Sequence, residues 1–80
     1  MGRKVRIYST PSCNFCQQAK EFLTEKGIEF DTFDVSSDKE ALSEMRKISG
    51  GARTVPVIVV GDAVIVGFER DRVEKALNDL

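Results

Sequence analysis

Histidine is missing altogether from these 80 residues, and there are only two cysteines and two prolines. Without histidine there is no Cys/His zinc site within one chain, no imidazole general base and no Ser-His-Asp triad. No apolar run approaches the roughly 20 residues that cross a bilayer. The start, Met1-Gly2-Arg3-Lys4-Val5, is basic but has no apolar core or small-residue cleavage site, so no signal peptide is expected. Arg6 stands where a myristoylation signal wants Ser or Thr. Neither charge is in surplus: 12 basic and 13 acidic residues leave a net charge of −1. That balance gives no electrostatic ground for nucleic acid or an anionic membrane as a partner. The cytosol is the expected address, and a monomer with one domain over 1–80 is the expected organisation, since this length builds one core.

Two cysteines in the cytosol need an explanation other than a lasting structural bridge. A bond between Cys13 and Cys16 would also close too small a loop to stabilise the fold much in the chain-entropy picture.

The pattern of apolar residues gives seven elements. Val5 to Ser9 is rich in β-formers and ends at Thr10-Pro11-Ser12. Phe15, Cys16, Ala19, Phe22 and Leu23 then recur at helical steps, with Gly27 as the stop. Ile28 to Val35 reads as a second strand. Ser37 and Glu40 form a capping box that opens a helix with Ala41, Leu42, Met45 and Ile48 as its apolar stripe, closed by Gly50-Gly51. Val57 to Val60 and Ala63 to Val66 are separated by Gly61-Asp62, which predicts an antiparallel hairpin. From about Asp71 to Leu80, Val73, Ala76, Leu77 and Leu80 return to helical spacing. The order β-α-β-α-β-β-α predicts a four-stranded mixed α/β sheet flanked by three helices on both its faces, with a parallel first β-α-β unit.

Cys13-Asn14-Phe15-Cys16 opens the first helix, and positions i and i+3 share a helix face. Cys13 stands at the N-terminal end, beside unpaired N–H groups and the positive end of the dipole. In such motifs a thiol pKa falls to roughly 3.5–7.5, which favours the thiolate. Cys16, one turn in on the stripe of Ala19 and Leu23, is expected to be buried. Cys13 is thus the expected nucleophile toward a substrate disulfide and Cys16 the resolving thiol. A different class stays open: a metal or iron–sulfur module in which Cys13 and a partner chain or external thiols share the ligands. Within the chain no metal ligand set is expected.

Two further segments admit two readings each. Pro56, after Arg53-Thr54-Val55, either simply starts a strand or bends the chain in a cis bond beside the cysteines. In Gly67-Phe68-Glu69-Arg70-Asp71 the glycine either ends a strand with Phe68 in the core, or the helix start receives an anionic group of a substrate. The remaining charges, among them Lys20, Glu21, Lys39, Arg46 and Lys47, read as solvated surface.

Taken together, Tyr8-Ser9, the CxxC motif, Arg53-Thr54-Val55-Pro56 and Gly67 before the last helix resemble glutaredoxins across nearly the whole chain. The resemblance implies the thioredoxin-like fold and glutathione as co-substrate, with no bound cofactor. It further implies that Thr54-Val55 and the cis-proline Pro56 pair with glutathione, that Arg53 meets its glycine carboxylate, and that Gly67, Phe68 and Glu69 receive its γ-glutamyl end. Phe15 keeps the aromatic of the usual Cys-Pro-Tyr-Cys, but Asn14 replaces the proline and Thr10 stands where a lysine is common. Gly67-Phe68 with Asp71 looks more like the redoxins that supply ribonucleotide reductase and are recharged by thioredoxin reductase. The function expected is reduction of protein or glutathione-mixed disulfides, with glutathione or thioredoxin reductase as the electron source.

Overall fold

A computed structural model of the chain describes residues 5–79, so Leu80 of the expected last stripe lies outside the described residues. Strand β1 spans Val5–Ser9, helix α1 Asn14–Glu25, β2 Asp31–Asp34, α2 Lys39–Ile48, β3 Val57–Val60, β4 Ala63–Val66 and α3 Arg70–Asn78. The strands form one sheet in the order β2-β1-β3-β4. β1 is parallel to β2 and antiparallel to β3, and β3 is antiparallel to β4. This is the expected mixed sheet of a thioredoxin-like fold. No helix among the described residues is long and apolar enough to cross a membrane.

Alternation along the strands sorts side chains onto two faces. Val5, Ile7, Ile58, Val60 and Ile65 turn to the face covered by α1, through Ala19, Phe22 and Leu23, and by α3, through Val73. Tyr8, Val57 and Val59 turn to the other, covered by Ala41 and Met45 of α2. Burial on both faces is why β3 reads as an unbroken apolar run. Each large side chain buried completely, as Leu23 is, contributes about 1.5–3 kcal/mol. Lys26, just past α1, pairs with Glu74 of α3 at 3.3 Å.

Tyr8 is the polar tie between sheet and α2. Its ring stacks on Phe33 with centroids 5.2 Å apart. Its hydroxyl donates to Glu44 Oε1 at 3.1 Å, an oxygen that also accepts from Arg6 Nη1 at 2.9 Å. Burial, and then the hydrogen bond to Glu44, push the Tyr8 pKa above its ordinary value.

Two elements differ from the sequence expectation. The strand expected over Ile28–Val35 is only Asp31–Asp34. Gly27, at φ +72°, turns the chain out of α1, and the Ile28 N–H donates back to the Leu23 carbonyl at 3.0 Å. Ile28 and Phe30, whose apolar character suggested strand, instead pack against the core beneath α1. The second difference is the cap of α2. Asp38, not Ser37, holds that position, its Oδ1 accepting from Glu40 N at 3.0 Å and Ala41 N at 3.2 Å. Ser37 belongs to the preceding turn, where its N–H donates to the Asp34 carbonyl. Hydrogen bonds from Ser36, side chain first, hold the Asp34 carboxyl below its ordinary pKa.

Gly61 has φ +58° and Asp62 does not have positive φ, the pattern of a type II′ hairpin turn. At the other end of the hairpin the Gly67 N–H donates to the Pro56 carbonyl at 2.7 Å. Both ends are therefore pinned.

The position of the α2 cap can be checked by denaturant unfolding. Asp38→Ala should cost about 0.5–2 kcal/mol, the usual range for a lost N-cap. Ser37→Ala should stay within about 0.5 kcal/mol, as an exposed substitution does. The reverse ranking would move the cap back to Ser37.

Candidate functional site

The turn Thr10-Pro11-Ser12 carries the chain from the end of β1 to the start of α1. The Cys13 N–H donates to the Thr10 carbonyl at 3.3 Å, which closes the turn. Cys13 then stands at the N-cap of α1 with extended backbone, φ −90° and ψ 112°. Helix N-caps are normally side-chain oxygens that accept from an orphan N–H. Here the acceptor is sulfur: Cys13 Sγ receives the Cys16 N–H at 3.1 Å.

The two sulfurs are unlike. Both are free thiols, but Cys13 is half-buried whereas Cys16 is 1% exposed. The Cys16 thiol is pushed up to about 11, chiefly by burial, then by its hydrogen bond to Cys13 and by the charge of Cys13. A backbone hydrogen bond from Thr10 and, less, the charge of Lys20 pull the other way. At neutral pH Cys16 is a neutral thiol.

The Val55–Pro56 bond is cis, as the resemblance implied. The Cys13 thiol points at the Val55 carbonyl oxygen, 3.8 Å away. Pro56 is buried at the start of β3, and its carbonyl holds Gly67. Cys13, Cys16, Val55, Pro56 and Gly67 thus come together in space from three parts of the chain. Arg53 and Thr54 lie on the exposed side of the same loop, and Arg53 makes no ion pair among the described residues. Glu69 is the N-cap of α3 but makes no side-chain capping bond; its carboxylate pairs with Arg72 at 3.4 Å. Among the described residues no group of three or more Cys, Asp or Glu side chains is placed to hold a metal ion.

Phe15 is 62% exposed, a large apolar surface for a position beside the cysteines. It opens a groove of about 520 Å³ lined on one side by Gln18, Glu21, Phe22 and Glu25 of α1 and on the other by Phe68 and Arg70. Phe68 meets Phe22 edge-on at 5.8 Å, and the Arg70 guanidinium lies 5.1 Å over the same ring. The sequence reading leaves Glu21 as solvated surface and marks neither Gln18 nor Glu25. The available signal was the step 15, 18, 22, 25 on one helix face, with Phe68 set apart by more than 40 residues.

A comparison with protein-family models matches residues 5–65 to the glutaredoxin family. The chain is 38% identical over 73 residues to an uncharacterised glutaredoxin-like 8.6 kDa protein of the rubredoxin operon of Clostridium pasteurianum, covering 91% of this chain and 96% of that one. Among solved structures it resembles a glutaredoxin of Archaeoglobus fulgidus, with TM-score 0.82 and 25% identity, covering 94% and 86% of the two chains. The glutaredoxin-like NrdH-redoxin of Escherichia coli superposes with TM-score 0.79 at 28% identity, covering 89% and 91%.

The inequality of the sulfurs predicts an order of alkylation. Iodoacetamide at neutral pH should modify Cys13 alone, with Cys16 reacting only as pH approaches about 11 or after unfolding; comparable rates at pH 7, read by mass spectrometry, would contradict the assignment. The folded protein keeps the Cys16 proton above the pH at which an unfolded thiol loses it, so the reduced protein should lose stability as pH rises from about 9 toward about 11. The sulfur cap gives a second test. Cys13→Ser supplies a good capping oxygen and should preserve stability, whereas Cys13→Ala should cost about 0.5–2 kcal/mol.

Proposed function

The chain belongs to the glutaredoxin family, and we propose that it is a dithiol–disulfide oxidoreductase with Cys13 as nucleophile and Cys16 as resolving thiol. The observation that carries this reading is the asymmetry at one helix end: a half-buried sulfur facing an N–H, and a fully buried sulfur one turn behind it. Cys13 attacks one sulfur of a substrate disulfide, the substrate S–S bond breaks, and the leaving sulfur takes up a proton. Cys16 then gives up its proton and attacks the Cys13 sulfur, which releases the second substrate thiol and closes the Cys13–Cys16 disulfide. Two electrons and two protons pass to the substrate.

The raised pKa of Cys16 suits this order of events. Two of its causes, the hydrogen bond to Cys13 and the charge of Cys13, disappear once Cys13 is tied up in a mixed disulfide. Burial alone is left to oppose ionisation. The resolving thiol is held neutral while it is not needed and is eased toward the thiolate when it is.

For the electron source, the reading favoured is a thioredoxin-reductase-type flavoenzyme acting on the Cys13–Cys16 disulfide. Glutathione is the second reading. Against glutathione stands the Glu69 carboxylate, held by Arg72 at 3.4 Å at the start of α3, close to where the γ-glutamyl carboxylate would have to land. Thr10 in place of a lysine points the same way. In favour of glutathione stands Arg53, exposed beside Thr54-Val55 and able to meet a carboxylate. Disulfide-containing proteins are the proposed substrates, in the cytosol.

Two measurements test this. Cys16→Ser should trap a substrate on Cys13 as a mixed disulfide, and failure to capture any competent disulfide would remove the resolving role. NADPH oxidation with thioredoxin reductase should exceed that with glutathione and glutathione reductase by about tenfold or more, a barrier difference of about 1.4 kcal/mol; the opposite ranking would favour the glutathione reading.

A further inference from the structure

The turn that leads into α1 holds both cysteines, and it does so through the main chain of its first residue. Pro11 occupies the second position of the turn Thr10-Pro11-Ser12-Cys13, where its fixed φ suits a turn closed by the Cys13 N–H on the Thr10 carbonyl at 3.3 Å. The other half of the Thr10 main chain, its N–H, donates to the Cys16 sulfur. Cys16 in turn gives its own N–H to the Cys13 sulfur at 3.1 Å. Thr10, Cys13 and Cys16 are thus joined in a ring of three main-chain donors, with both sulfurs as acceptors.

The direction of the Thr10 donor is fixed from outside the turn. The only cis peptide bond among the described residues is Val55–Pro56, so the Ser9–Thr10 unit is trans, with its C=O and N–H pointing opposite ways. The Ser9 carbonyl accepts from the Val35 N–H, just past β2, at 3.0 Å. The Thr10 N–H therefore points away from β2. A main-chain N–H that leaves a sheet needs an acceptor. Here the acceptor is a buried sulfur, Cys16 being 1% exposed.

The donor matters at one step. Once Cys13 is joined to a substrate, Cys16 must lose its proton and carry negative charge on a sulfur buried on the stripe of Ala19 and Leu23. A charge buried there is costly unless a hydrogen bond meets it. Of the groups that act on this sulfur, burial and Cys13 oppose the charge. The Thr10 N–H favours it, ahead of Lys20, which lies one turn farther along α1.

We propose that Thr10 is a positioning residue for the resolving step: its main-chain N–H, rather than its side chain, aims the Cys16 sulfur and meets the negative charge that this sulfur carries as it attacks Cys13. In that step the Cys16 proton goes to solvent and the Cys16–Cys13 bond forms. The bond from Cys13 to the substrate breaks, and the substrate sulfur leaves with the electron pair and takes up a proton. Sheet and turn hold the donor in place beforehand, so it meets the charge without reorganising. The inference rests on the dithiol-exchange reading and adds the group that makes the buried thiol usable.

Cys13 is itself the junction for the test. A synthetic segment 1–12 whose Thr10 amide is replaced by an ester is ligated to residues 13–80 through the Cys13 thiol, which gives the full chain with one N–H exchanged for oxygen. Dithiobis(nitrobenzoate) releases one coloured thiolate when Cys13 attacks and a second when Cys16 resolves, so stopped-flow absorbance reads the two steps separately. In the ester protein the first release should keep its rate, and the second should slow about tenfold near neutral pH, the low end for losing a hydrogen bond to a charged group. Without the donor Cys16 holds its proton more tightly, so the pH midpoint of the second release should rise by about one unit. Thr10→Ala, which keeps the N–H, should keep the wild-type midpoint. A second release that is not slowed, or is slowed with no change of midpoint, would overturn the proposal; so would a midpoint raised equally in Thr10→Ala. The ester also weakens the Ser9 carbonyl as acceptor for Val35. Should that protein fold poorly, a nitrogen NMR titration of Cys13→Ser decides: the Thr10 amide signal should shift as Cys16 ionises, and a signal indifferent to that ionisation would equally overturn the proposal. If the wild-type protein releases only the first thiolate, dithiol exchange falls and the inference with it. If it releases both and the ester changes nothing, exchange stands and the inference alone falls.

Discussion

The site is laid out from one contact, the Cys16 N–H on the Cys13 sulfur at 3.1 Å. A helix start needs acceptors for its orphan donors, and most proteins spend a serine, threonine or aspartate there. In this chain the residue that satisfies the helix is also the proposed nucleophile. The same bond fixes where the sulfur points, because an N-cap side chain must fold over the first turn. It leaves Cys16 behind it, facing the core with Ala19 and Leu23. The unequal surroundings of two identical side chains thus come from helix geometry.

The opposite wall depends on strand register. Because β1 and β3 are antiparallel, with Tyr8 opposite Val57, the end of β1 comes beside the start of β3. The turn after Ser9 and the loop before Val57 therefore meet, although Cys13 and Val55 are 42 residues apart. A slip of one residue would move Val55 by about 3.3 Å and send every side chain of β3 to the wrong face. Val57 through Val60 are all buried, half on each side of the sheet, so any such slip would exchange the contents of two cores. Packing far from the sulfur sets its distance to the Val55 carbonyl.

Much of this was legible in the sequence because local rules and global fold agree. The limits of β1, β3 and β4 follow from Thr10-Pro11-Ser12 and Gly61-Asp62, and the CxxC motif lies at a helix start, as its spacing predicts. What could not be read has physical reasons. Ile28 and Phe30 have the composition of a strand but pack against the core on the α1 side of the sheet, and apolar character alone does not say which neighbour it will meet. Ser37 and Asp38 are both good caps, and tertiary placement of the turn at Asp34 decides between them. The groove was hidden more deeply. Its walls are joined only by folding, Phe22 reads as core, and Glu21 reads as surface until Phe68 is set across from them.

The β3–β4 hairpin is fixed at both ends, at its turn by Gly61 and at the site by the bond from Gly67 to Pro56. Four residues of strand separate the two ends, about 13 Å. One end holds the chemistry in place and the other is free of it. A loop or reporter grafted between Gly61 and Asp62 would lengthen the tip and leave Gly67 where it is. A single residue inserted after Val66 would instead carry Phe68 off Phe22, opening the groove while sparing both sulfurs. The hairpin therefore separates the part of the molecule that tolerates grafts from the part that sets what the dithiol can grasp.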